Sequence, residues 1–140
     1  MNIAIDFDGT CVKHRFPYIG EDIGAVPILR RITEAGHNLI LFTMRGDRIK
    51  GGDTGDASIQ DITGLFLTDA VNWFKTNNIP LWGIQVNPQQ HFWTSSPKAY
   101  ADLYIDDAAL GCPLVYPENS EPPYADWVAI ERFLVEMSII

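Results

Sequence analysis

Residues 3–10 read Ile3-Ala4-Ile5-Asp6-Phe7-Asp8-Gly9-Thr10. A short apolar run ends abruptly in acid. A strand covered on both faces loses the polar alternation of a surface strand, so the run predicts a buried strand over residues 2–7. Period-two geometry puts Asp6 and Asp8 on the same side, roughly 7 Å apart along an ideal strand. Gly9 then breaks the strand and lets Asp8 turn.

The same logic extends along the chain. Pro27 suits a first helical turn, Ile28, Leu29, Ile32 and Ala35 share one helix face, and Gly36 is placed to stop the helix. Leu39-Ile40-Leu41-Phe42 predicts a second buried strand ending at Thr43. Residues 45–64, RGDRIKGGDTGDASIQDITG, form a long polar loop. A helix follows over about 65–78, with Leu67, Ala70, Val71 and Phe74 inward. Trp82 to Val86 predicts a third strand. Leu103-Tyr104-Ile105 predicts a fourth, running into Asp106-Asp107, and Leu114-Val115-Tyr116 a last short one. Pro117, Pro122 and Pro123 mark a linker before a closing amphipathic helix that carries Trp127, Ile130, Phe133, Leu134 and Met137. Strands alternating with helices imply an α/β fold, a Rossmann-like parallel sheet with helices on both faces in three α/β/α layers.

Composition sets the class. The chain has 140 residues, 46% hydrophobic and 20% charged. That is the size and make-up of one globular domain, and residues 1–140 are read as one. Its 10 Lys and Arg face 18 Asp and Glu, for a net charge of -8. Such a surface disfavours polynucleotides, whose binding runs on basic phosphate contacts. No stretch approaches the roughly 18 apolar residues of a membrane span. MNIAIDFDGT turns acidic too soon for a signal peptide, so the expected location is cytoplasmic. Cys11 and Cys112 are then expected as two reduced thiols. Three histidines without paired spacing do not make a transition-metal site.

In parallel sheets ligands bind beyond the carboxyl ends of the strands. Asp6 and Asp8, Thr43, and Asp106 with Asp107 all fall at such ends, with Lys98 just upstream of the last. Three or four carboxylates at one point repel unless a cation neutralises them. Hard oxygen donors suit Mg²⁺ shared with a substrate phosphate. A carboxylate can then act as nucleophile toward phosphorus and form an aspartyl-phosphate. Lys98 and the Thr43 hydroxyl would hold phosphoryl oxygens.

Asp6-Phe7-Asp8-Gly9-Thr10, Thr43, Lys98 and Asp106-Asp107 resemble the four ordered motifs of the haloacid dehalogenase-like (HAD) superfamily, over residues 3 to 107. The resemblance implies a Mg²⁺-dependent phosphomonoester hydrolase. Asp6 would be the nucleophile, and Asp8 the acid for the leaving group and then the base for water. Thr43 and Lys98 would bind the phosphoryl group. Asp6, the backbone carbonyl of Asp8, and Asp106 would hold Mg²⁺, with Asp107 a ligand through water or a partner of Lys98. Lys98 is assigned by position, and Lys50 or Lys75 could take its place. The short interval from Asp8 to Thr43 leaves room for a flap at 11–24 but no folded cap.

Arg45, Arg48 and Lys50, with His14 of the flap, are candidates for binding the rest of a small phosphorylated substrate, or else lie in a solvated loop. His91, Phe92 and Trp93 either line the mouth of the site or pack. Two alternatives stand beside the main reading. One is a nucleotide or nucleic-acid-end phosphatase; the other is a non-catalytic phosphate-binding or regulatory module of the same fold.

Overall fold

A computed structural model describes residues 1–49 and 62–140. In chain order its elements are β1 (Asn2–Ile5), α1 (Ala25–Glu34), β2 (Asn38–Leu41), β3 (Asp47–Arg48), β4 (Gly64–Leu65), α2 (Phe66–Thr76), β5 (Gly83–Ile84), a 3-10 turn (Gln90–Phe92), β6 (Leu103–Ile105), β7 (Leu114–Val115), β8 (Tyr124–Ala125) and α3 (Trp127–Glu136). Four strands form one parallel sheet in the order β5-β2-β1-β6.

Register sorts the side chains. Ile3 pairs with Leu39 and Leu103, and Ile5 with Leu41 and Ile105. These residues share one face and pack with Ile28, Leu29 and Ile32 of α1, Ala70 and Phe74 of α2, and Ile130 and Leu134 of α3. Burying each such Leu, Ile or Phe is worth about 1.5–3 kcal/mol, so this face is the main source of stability. Ala4, Ile40 and Tyr104 lie on the other face.

Topology explains why. The β1-to-β2 and β2-to-β5 connections step the same way across the sheet, so right-handed crossovers put α1 and α2 on one side. The β5-to-β6 connection returns across β1 and therefore passes over the other side. Among the described residues that return holds one 3-10 turn and no α-helix. The fold is thus α/β, and the second helical layer expected from the sequence is represented there by residues 86–101.

Helix ends follow local chemistry. Asp22 accepts from the amides of Gly24 and Val26 at the start of α1. Gly36 closes it at φ +86°, a backbone state that suits glycine. Asp126 caps α3 by accepting from Val128 and Ala129. The Asp47 carboxylate accepts from the amide and hydroxyl of Thr68, which holds its pKa below the usual value and ties β3 to α2. Leu114-Val115 does not extend the parallel sheet; it pairs antiparallel with Tyr124-Ala125. No described helix is long and apolar enough to cross a membrane.

Candidate metal and phosphoryl site

β1 ends at Ile5, and the chain then wraps around the Phe7 carbonyl, which accepts from the amides of Thr10, Cys11 and Val12. Gly9 makes the turn at φ +83°. The turn carries the Asp6 carboxylate to the carboxyl edge, where its amide donates to Ile105 of the neighbouring strand. Asp106 and Asp107 follow directly. Carboxylate oxygens of Asp6, Asp106 and Asp107 all lie within 4.8 Å of one another.

Thr10 joins the group. Its hydroxyl is 3.3 Å from Asp6 Oδ2 and 3.1 Å from Asp107 Oδ1, and it accepts from the Asp107 amide. The buried indole of Trp127 donates to the Thr10 carbonyl at 2.7 Å, so α3 braces the turn. Burial pushes the Asp6 carboxyl up to about 7, and the charges of Asp106, Asp107 and Asp8 push the same way. Burial and neighbouring negative charge both disfavour the ionised carboxyl. Oxygen donors of this kind fit a hard divalent ion.

The flap reaches the same cluster. His14 Nε2 is 3.0 Å from Asp107 Oδ2. On either side of it, Lys13 and Arg15 both bond Glu121 beyond β7, so the flap is pinned at two points. Asp107 is therefore partnered by His14 and Thr10 rather than by Lys98.

Arg45 requires a correction. It is read from the sequence as a candidate for binding substrate anions. In the structure it is 3% exposed, and its five N–H groups are committed. Nε and one Nη–H donate to the two oxygens of Asp8 at 2.6 and 2.7 Å. The other three donate to the carbonyls of Pro17, Tyr18 and Phe66. The guanidinium also lies 5.1 Å from the centre of the Phe7 ring and 5.2 Å from that of Phe16. It ties the flap, α2 and Asp8 together and has no donor left for a ligand. The Asp8 carboxylate accordingly faces Arg45 and stands outside the three-carboxylate group.

Thr43 lies two residues past the end of β2. Its hydroxyl accepts from the Arg45 amide at 3.2 Å. Gln85 clamps this loop: its side-chain oxygen accepts from the Thr43 amide, and its nitrogen donates to the carbonyls of Thr43 and Arg45. The sequence pattern does not single out Gln85. The only local hint is its place at the end of the third strand, and its left-handed backbone, φ +63°, is a feature no pattern announces.

Lys98 lies over the Tyr104 ring, 5.5 Å from its centre, and forms no ion pair among the described residues. Tyr104 precedes Asp106 by two positions on β6. Lys75 is exposed in the last turn of α2, toward the amino edge of the sheet and away from Asp6. Arg48 lies in β3 beside a cavity of about 570 Å³ that Phe16, Pro17 and Met44 also line. Lys50 falls outside the described residues. Cys11 and Cys112 are free thiols, and burial raises the pKa of both.

No family model matches the chain, and no curated protein matches it. A solved structure does, that of a conserved protein coded by a locus of Bacteroides thetaiotaomicron. The two share 32% identity over 98% of this chain and 91% of that one, with a TM-score of 0.70. The chain belongs to the family of that conserved protein. The relationship carries the fold with it and assigns no activity. Beyond the carboxyl ends of two adjacent parallel strands the chain brings together three carboxylates and a bridging threonine, with a histidine reaching in from the flap.

Proposed function

We propose that the protein is a Mg²⁺-dependent phosphomonoester hydrolase of the HAD-like type that works through an aspartyl-phosphate on Asp6. One observation carries the proposal: the carboxylates of Asp6, Asp106 and Asp107 meet within 4.8 Å at the carboxyl ends of β1 and β6. Such a group is strongly self-repelling until a cation joins it.

Asp6, Asp106 and Asp107 would hold the metal. The chemistry a bound Mg²⁺ supplies at such a site is neutralisation of the charge between an anionic nucleophile and an anionic phosphoryl group. Asp6 attacks phosphorus, the bond to the leaving-group oxygen breaks, and water later cleaves the acyl phosphate. Thr10 orients Asp6 and Asp107. Thr43, fixed by Gln85, offers a hydroxyl to a phosphoryl oxygen, and Lys98 supplies a cation from the other side. Asp8 hands protons to the leaving group and from water; leaving its pair with Arg45 is part of that role.

The test is magnesium-dependent release of phosphate from p-nitrophenyl phosphate and a broad phosphomonoester panel, with Asp6→Asn as control. Turnover by the wild type with loss in the variant is the expected result. Silence of the wild type on the whole panel, or equal rates for the two proteins, sinks the proposal.

A further inference from the structure

The sheet face that lacks α-helices carries a cavity of about 490 Å³ beside Lys98. Its walls include Trp93, Tyr100 and Tyr104, with Thr94, Ser96 and Lys98. Trp93 and Tyr100 stand at a right angle, ring centres 5.7 Å apart. Two rings in that relation make a corner, in which a third flat ring can stack on one and meet the edge of the other.

The corner is built, not incidental. Two buried amides, Gln90 and Asn87, spend their hydrogen bonds on it. Gln90 donates to the carbonyls of Ser96 and Lys98 and accepts from the Tyr100 amide at 2.9 Å. Asn87 donates to the Tyr100 carbonyl at 3.0 Å. The Tyr104 hydroxyl donates to the Ala99 carbonyl. The loop is therefore held in shape while Trp93 and Tyr100 stay about half exposed. Half-exposed aromatic rings on a fixed frame are suited to ligand contact.

Position supplies the rest. Tyr104 stands on the strand that two residues later carries Asp106, and Lys98 lies over its ring. One ammonium thus borders both the aromatic corner and the strand that leads to the acidic cluster. We infer that this cavity receives the leaving-group side of the substrate and selects phosphomonoesters of flat, ring-bearing alcohols, that is, aryl or nucleoside phosphates. The corner takes the ring, Ser96 and Thr94 meet hydroxyls, and Lys98 faces the phosphoryl group. The inference rests on the phosphatase reading for its substrate, but the ring site can be measured without turnover.

The experiment has two arms. In the first, kcat/KM is compared for phenyl phosphate, adenosine monophosphate and glycerol phosphate. Wild type should favour the ring-bearing substrates by about tenfold, chiefly through KM, as one stacked ring allows. Trp93→Leu should collapse that ratio to near unity, while Phe133→Leu, on the surface of α3, should keep it. If phenyl phosphate is favoured and the nucleotide is not, the site takes simple aryl groups; the reverse marks a nucleoside site. No preference in the wild type, or a preference that survives in Trp93→Leu, overturns the inference. In the second arm, adenosine and phenol are titrated against tryptophan fluorescence of wild type and Trp93→Leu. Quenching that depends on Trp93 upholds the ring site even if no phosphate is released, in which case only the phosphatase reading fails. Absence of such quenching, in a protein that does release phosphate, removes the ring site alone.

Discussion

The Arg45 guanidinium meets the Asp8 carboxylate through two parallel hydrogen bonds, Nε to one oxygen at 2.6 Å and Nη to the other at 2.7 Å. The pair is nearly dry on the arginine side. Removing one partner of a buried pair strands the other, at a cost of about 3–5 kcal/mol. Asp8→Ala should lower the unfolding midpoint accordingly, and Asp8→Ala combined with Arg45→Met should recover part of the loss. Chemical denaturation of the four proteins of that cycle measures the coupling; strictly additive losses would show that the two side chains do not act as a pair.

Asp6 sets a pH dependence. Its carboxyl protonates at about 7 in the folded protein against 3.8 for a free side chain. Between those values the folded state holds more protons than the unfolded one, so stability falls as pH rises through the interval. Thermal unfolding in EDTA should show that decline, and saturating Mg²⁺ should flatten it by binding the ionised form. Asp6→Asn should flatten the EDTA profile as well. A metal-free wild type equally stable across the interval would contradict the assignment.

Gln85 makes three hydrogen bonds to the loop of Thr43 and Arg45 from a left-handed backbone. Gln85→Ala loses the bonds and keeps the strain, an expected loss of about 2–3 kcal/mol. Gln85→Gly loses the same bonds but relieves the strain, and should be about 1 kcal/mol more stable than the alanine variant. Urea midpoints give the order of the three proteins. Alanine at or above glycine would mean that the backbone there is not strained.

Gly9 and Gly36 form a matched pair. Both have φ above +80°. A methyl group at Gly36 meets open space, whereas one at Gly9 runs into His14 and Asp107. Gly36→Ala should lose about 1 kcal/mol and leave turnover alone. Gly9→Ala should displace the acidic cluster and lower turnover by about a hundredfold, with a weaker response to Mg²⁺. Equal activity in the two variants would argue that the His14–Asp107 contact has no part in the site.

Much of this was legible from local sequence. The apolar runs at residues 3–5, 39–41 and 103–105 mark three adjacent strands, the first two buried on both faces and the third on one, and acid directly after two of them marks the site. The helices announce themselves through Ile28, Leu29 and Ile32, and through Ala70 and Phe74. What stayed hidden depends on distant packing. Arg45 reads as a loop cation, and only the meeting of Phe7, Phe16 and three carbonyls around it makes it a buried tie. Leu114-Val115 reads as a strand, but its two-residue partner β8 is too short for a periodic signal, and their pairing brings together segments separated by the proline-rich linker. The aromatic corner depends on Gln90 and Asn87, polar residues in a stretch with no pattern, whose value comes entirely from being buried.

The return of the chain from β5 to β6 leaves the hydrophobic interior and the ring-lined cavity on opposite sides of a single layer of strands. Exchanging the half-exposed rings Trp93 and Tyr100 therefore leaves the packed face that holds the domain together untouched.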